Sequence, residues 1–287
     1  MDHQTPPDIN GLWDYDQPVA SEARFRALLP GADPDVQAEL LTQIARAQGL
    51  QRRFDDAQRT LDEVAATESL AGRPRVRYLL ERGRVFNSAG DPAAARPWFE
   101  AAYTAAGDAD EAALAIDAAH MLAIVAPPDE ALAWNLCALQ QAETSADERA
   151  RRWRGSLLNN IGWSYHAVGE FAAALDFLIR ALEFRRENGP AESLRVARWC
   201  VARVRRDVGQ VDAALAEQRA LLAEYEALGQ PSGYVFEEIG ECLLLLGDEA
   251  TSQHYFAAAY RILSADPWLV AEEPARLERL HSLAEKN

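Results

Sequence analysis

Lysine is all but missing from this chain of 287 residues: Lys286 is the only one, and the basic side chains are otherwise arginine, a usage that fits a GC-rich genome. Cysteine is scarce and scattered. Cys137, Cys200 and Cys242 stand far apart, which excludes a disulfide framework and a Cys-x-x-Cys zinc site, and predicts free buried thiols in a reducing compartment. No apolar stretch reaches the roughly 18 residues of a membrane span, and residues 1–20 lack the basic start and apolar run of a signal peptide. A cytoplasmic protein is therefore expected. Positive charge is in short supply, with 29 Lys and Arg against 45 Asp and Glu and a net charge of −16. That excess repels phosphate backbones and anionic lipid, so neither nucleic acid nor a membrane surface is an expected partner. The motifs G-x-S-x-G, H-E-x-x-H, G-x-G-x-x-G and the P-loop are all absent, and no catalytic activity or cofactor is expected.

What is present is a period. Small residues stand at Ala45, Gly83, Ala119, Gly162, Ala202 and Gly240, separated by 38, 36, 43, 40 and 38 residues. Seven positions later comes a stop: Gly90, Gly169, Gly209 and Gly247 in four cases, Arg52-Arg53 and Ala126-Pro127-Pro128 in the others. Twelve positions after each small residue comes another, at Ala57, Ala95, Ala131, Ala174, Ala214 and Ser252. The pattern predicts a helix ending at each stop, a tight turn, and a second helix that begins with acids such as Asp55-Asp56 or Asp129-Glu130 at its positive end. The small residues mark where the two axes pass closest. Larger residues such as Phe86, Phe99, Tyr165, Leu178, Leu61 and Phe256 fill the space beside them.

Residues 157–182 resemble a tetratricopeptide repeat, with Leu158, Ile161, Gly162, Tyr165, Gly169, Ala174, Leu178 and Ala181 on the apolar and small positions of that motif. The segments around Gly83 and Gly240 match through Leu80, Phe86, Gly90, Ala95, Phe99 and Ala102, and through Ile239, Gly247, Phe256 and Ala259. The other three units are degenerate: Asn135 and Gln218 occupy a position usually aromatic or aliphatic. Simple tetratricopeptide repeats recur about every 34 residues, so these longer units are similar to the sensor solenoids of bacterial regulators of the MalT and Rap/PlcR kinds. The resemblance implies an all-α, right-handed α-solenoid of about six helix pairs over residues 34–265. A tail at 1–17, an N-terminal capping helix at 18–33 and a C-terminal capping helix at 266–287 complete it. Pro18 to Leu29 is expected as an amphipathic helix capped by Asp16 or Ser21 and stopped at Pro30-Gly31, with Leu12, Trp13 and Tyr15 pinning the segment before it. Residues 1–10 are expected to lack fixed structure. Leu277, Leu280 and Leu283 should face the core from a last helix after Pro274.

In that family the first helix of each pair lines a concave groove. Carried over position by position, the resemblance implies groove residues Gln43 and Arg46, then Arg77, Glu81, Arg84 and Asn87, then Asp117 and His120. The fourth unit supplies Asn159, Asn160, Trp163 and His166. The fifth supplies Trp199, Arg203 and Arg206, and the sixth Tyr234, Glu237, Glu238 and Glu241. Guanidinium groups bind carboxylates in a planar fork, and indoles offer rigid apolar area. The expected partner is therefore a protein or peptide segment with acidic residues beside an aromatic or aliphatic anchor. Arg77, Arg84, Arg203 and Arg206 would receive its acids, and Glu237, Glu238 and Glu241 its basic end. Asn160 sits where chaperone-binding members hold a C-terminal carboxylate, but the flanking lysines of that clamp are missing.

Charge runs in blocks. Between Pro97 and Glu148 there are ten acids and no Lys or Arg, followed at once by Arg149, Arg151, Arg152 and Arg154. Such alternation suits a partner of mixed charge or head-to-tail homo-oligomers. The first expectation is thus a non-catalytic scaffold or adaptor, and the alternative a sensor of a small ligand or signalling peptide. A metal-dependent enzyme built on Asp117, His120 and His166 is the third reading. His3, His254 and His281 read as surface residues.

Overall fold

The computed structural model describes residues 9–67 and 70–285; the expectations for residues 1–8, His3 included, and for Lys286 lie outside that range. Among the described residues every regular element is helical and no strand occurs. A 3-10 turn (Asn10–Leu12) and α1 (Pro18–Leu28) precede the first helix pair, α2 (Pro34–Leu50) and α3 (Phe54–Ala65). Then come α4 (Gly72–Ser88) with α5 (Pro92–Asp108), and α6 (Ala112–Val125) with α7 (Pro128–Thr144). A single turn, α8 (Glu148–Arg151), leads to α9 (Arg154–Ala167) and α10 (Phe171–Asn188). The pairs α11 (Ala191–Asp207) with α12 (Val211–Ala227), and α13 (Gly233–Leu245) with α14 (Glu249–Leu263), follow. The C-terminal piece is two helices rather than one, α15 (Pro267–Glu272) and α16 (Pro274–Ala284). Helices are paired as in a solenoid of tetratricopeptide type, and the chain divides into two compact units, residues 1–157 and 158–287.

Local chemistry accounts for the helix boundaries. Asp33, Asp91, Asp248 and Asp266 accept the backbone N–H of Val36, Ala94, Thr251 and Trp268 at 2.9–3.2 Å, caps worth about 1 kcal/mol each. Gly90, Gly169, Gly209 and Gly247 all take φ between +80° and +90°, the left-handed turn that their offset predicts. Arg52 adopts the same turn without a glycine, at φ +61°. The cap expected on α1 is different: Gln17 precedes the helix without a side-chain bond. Ser21 instead ties back the segment before it, accepting from the Asp14 N–H and donating to the Asp14 carbonyl, both at 2.9 Å.

Packing follows the small residues. A Cβ on Gly83 would stand 2.5 Å from the Phe99 ring, one on Gly162 2.7 Å from Leu178, and one on Gly240 2.8 Å from the Phe256 ring. Glycine is what lets each buried large residue seat against the first helix. Where the first helix carries Ala119 or Ala202 instead, the facing residue is polar: Asn135, 5% exposed, or Gln218, 0% exposed. At the C-terminus, Leu277, Leu280 and Leu283 of α16 are buried against Phe256, Ala259 and Leu263 of α14.

Candidate functional site

In unit 1 the first helices α2, α4 and α6 are joined by an ion-pair ladder. Arg46 donates to Glu81 at 3.2 Å, Arg84 reaches both Glu81 and Asp117 at 2.5 Å, and Arg73 and Arg77 lie 3.2 and 3.6 Å from Glu39. Burial alone would push the Asp117 carboxyl up, but the Arg84 and Arg46 guanidinium groups outweigh it and hold it below the usual carboxylate range. His120, one turn on, is half-buried beside the Trp153 ring, 5.4 Å between centroids. Burial holds its pKa below the ordinary histidine value, against the opposing pull of Asp117. Asn87 is half-buried on α4.

The N-terminal segment lies on this same face. The Trp13 indole N–H donates to the Gln43 side-chain oxygen at 2.9 Å, and Trp13 and Tyr15 stack at 4.8 Å with planes 3° apart. Arg46 sits 5.8 and 5.5 Å from their two centroids. Leu12 and Trp13 also pack on the cluster of Phe25, Leu40 and Ile44, so the expected pinning of the segment occurs, with Tyr15 left largely exposed.

In unit 2 the first helices carry a row of rings. Trp163 and Trp199 lie 6.2 Å apart, and Trp199 and Tyr234 another 6.2 Å. Both indoles are half-buried and Tyr234 is exposed. Their N–H groups are already used: Trp163 bonds to the Cys200 thiol and Trp199 to the Tyr234 carbonyl at 3.3 Å. What the row offers outward is ring surface. Burial pushes the Cys200 thiol up to about 11 and the Cys242 thiol up to about 12, so both are inert, as free core thiols should be. His166 bonds to Asp207 at 2.8 Å and flanks the row, 5.1 Å from the Trp163 ring. Asn159 and Asn160 are half-buried one turn earlier on α9.

The charged groups expected to greet a partner are committed within the chain. Arg203 and Arg206 both bond to Glu238, which is 1% exposed. Glu237 is held by Arg276 at 2.5 Å, and Glu241 by Arg279. Arg84 is likewise spent on Glu81 and Asp117. A buried carboxylate with two guanidinium partners is a structural element, since removing the cations would strand a charge in low dielectric. The arginines of α16 went unread in the sequence, although Arg276 and Arg279 lie 39 and 38 residues after their partners, one repeat length. By that spacing α16 stands where the first helix of a further repeat would.

Among the described residues no group of three or more His, Cys, Asp or Glu is placed to hold a metal ion. Asp117, the carboxylate suggested for such a site, is spent on Arg84. No described helix is long and apolar enough to cross a membrane. His254 and His281 are exposed, the latter stacked on Tyr260 at 4.8 Å.

Comparison with known proteins agrees with the geometry. Residues 155–188 match the tetratricopeptide repeat family model. The fold is similar to the apo form of RapI, with TM-score 0.71, 11% identity, and coverage of 90% of this chain and 74% of that one. It is equally similar to a STAND signal-transduction ATPase with a tetratricopeptide repeat sensor from Pyrococcus horikoshii, with TM-score 0.71 and 11% identity; 93% of this chain matches 42% of that one. The apo quorum sensor NprR from B. thuringiensis matches with TM-score 0.54 and 13% identity over 88% and 82% of the two chains. No curated protein matches the chain significantly. The chain thus carries one repeat that matches the tetratricopeptide family model, at residues 155–188, and shares its helix-pair fold with these structures.

Proposed function

We propose that the protein is a non-catalytic cytoplasmic scaffold that captures a peptide or protein segment on its first-helix faces. The observation that carries this reading is the row of half-buried Trp163 and Trp199 and exposed Tyr234, while the charges around it are neutralised by the chain itself. Aromatic surface held rigid by packing is what binding hot spots are made of. The anchor of the partner at unit 2 is accordingly apolar or aromatic, and acids in the partner are not its main attachment there. A second reading, a sensor for a small ligand or signalling peptide, draws on the likeness to the quorum sensor NprR and to the sensor-bearing ATPase.

The test is capture from the native cell extract by the full chain and by its Trp199→Ala, Tyr234→Ala variant. A protein retained by the first and lost by the second, at unchanged helix content, supports the scaffold. Equal retention by both contradicts it. A thermal shift with metabolites or short peptides and no captured protein moves the assignment to the sensor.

A further inference from the structure

The first-helix face of unit 1 is already occupied, and by the chain itself. Residues 12–16 read Leu-Trp-Asp-Tyr-Asp. Their two rings meet α2 at Gln43 and Arg46, the positions through which a repeat of this kind would meet a ligand. Gln43 is 2% exposed, and its side-chain oxygen receives the Trp13 N–H at 2.9 Å. Arg46 is steadied by Glu81 of the next first helix and turns toward both stacked rings. The segment is held by Leu12 and Trp13 against Phe25, Leu40 and Ile44, by the Arg24 guanidinium on the Leu12 carbonyl at 3.1 Å and by Ser21 on Asp14, while the Tyr15 ring is 58% exposed. Charge is complementary as well. The ladder on this face sets four guanidinium groups against three carboxylates, a positive excess in a chain of net charge −16, and Asp14 and Asp16 bracket Tyr15.

We propose that residues 12–16 are a resident peptide on the first-helix face of unit 1. The segment captured there has the same chemistry, two aromatic residues separated by one acidic residue and followed by another, and must displace it. This deepens the reading of the first-helix faces as segment-binding surfaces and rests on it. The resident segment lowers the apparent affinity for any competitor by the fraction of time it stays docked, so it sets a threshold that a weak or poorly matched partner does not pass.

The probe is a fluorescein-labelled peptide of residues 9–17, titrated by anisotropy at low salt into the full chain and into its Trp13→Ala, Tyr15→Ala variant. The opened variant should bind the peptide at least about tenfold more tightly than the intact chain. Adding Arg46→Ala to the opened variant should cost about tenfold in binding, because the guanidinium face over the two rings is lost. Equal binding by intact and opened chains overturns the proposal. So does binding indifferent to Arg46→Ala, or no binding to the opened variant at about 1 mM peptide, the order of concentration a short tether supplies. If the double variant loses helix content, Tyr15→Ala alone opens the stack without touching the core, and the same outcomes are read from it. No arm uses a cellular partner, so failure here is distinguishable from failure of the Trp199 capture experiment.

Discussion

The first-helix faces of the two units solve the same problem in opposite ways. Both spend their arginines on their own carboxylates, Arg46 and Arg84 on Glu81 in one, Arg203 and Arg206 on Glu238 in the other. Unit 1 then lays a segment of the chain, Trp13 and Tyr15, over Arg46, whereas unit 2 carries a row of half-buried Trp163 and Trp199 with exposed Tyr234. The difference teaches that arginine on a groove position is a poor sign of a ligand site. A guanidinium is as useful for tying one repeat to the next as for holding a partner, and a ring with its N–H consumed keeps only its face for outside contact.

The largest expected effect comes from breaking the ladder of unit 2. Arg203→Glu with Arg206→Glu leaves Glu238 buried among like charges, and denaturant unfolding should show a loss of about 3–5 kcal/mol. The reversal Arg152→Glu alone should cost little, since the Arg152–Glu148 pair is exposed on both sides and worth at most about 1 kcal/mol. A stable Arg203→Glu, Arg206→Glu variant would mean that the ladder is decorative. Gly162→Leu should come next. Its Cβ alone meets Leu178 at 2.7 Å, and overpacking of this kind costs about 1–3 kcal/mol or more.

Two smaller effects separate repeats that share a defect. Both amide atoms of Gln218 are buried without a partner, so Gln218→Leu should raise the melting temperature by about 2–4 °C, the equivalent of about 1 kcal/mol. The Asn135 side-chain oxygen is likewise buried without a partner, but the residue interacts with His120, so Asn135→Leu should bring a smaller gain. His120 also makes unit 1 acid-sensitive. Its folded pKa is lowered, so the stability it contributes is full above its unfolded pKa of about 6.5 and is lost as pH falls below that. His120→Gln should flatten the pH dependence of the melting temperature from about pH 6.5 downward. Asp117, lowered by Arg84, adds a further loss only as pH falls below the unfolded value of about 3.9. The smallest effect is at Arg52, whose φ of +61° costs an L-residue about 1 kcal/mol. Arg52→Gly should recover part of that.

The turns were legible because their needs are local: a glycine seven residues after a small residue states a backbone conformation wherever it occurs. Arg52 shows the limit, since a pair that pulls hard enough imposes the same turn on a residue that resists it. The close approaches were legible too, because Gly83 facing Phe99 and Gly240 facing Phe256 are complementary volumes at a fixed offset of 16 residues. The helix-face positions expected to line a groove could be carried over from the repeat pattern, but the partners of their side chains could not. Arg203 reads the same whether it meets Glu238 or a ligand, and the choice is made by contacts 35 residues apart. Nor does the sequence announce that Trp13 and Tyr15 dock at Gln43 and Arg46, about 30 residues away.

The central claim proposed is that the aromatic row, and not the arginines, holds the partner at unit 2. Its most direct test is the dissociation constant of the captured segment for Trp199→Ala beside Arg203→Gln, the latter leaving Arg206 on Glu238. Loss of the indole should weaken binding at least about tenfold, while loss of the guanidinium should change it by less than about twofold. The reverse order, with Arg203→Gln abolishing capture and Trp199→Ala leaving it intact, would contradict the account.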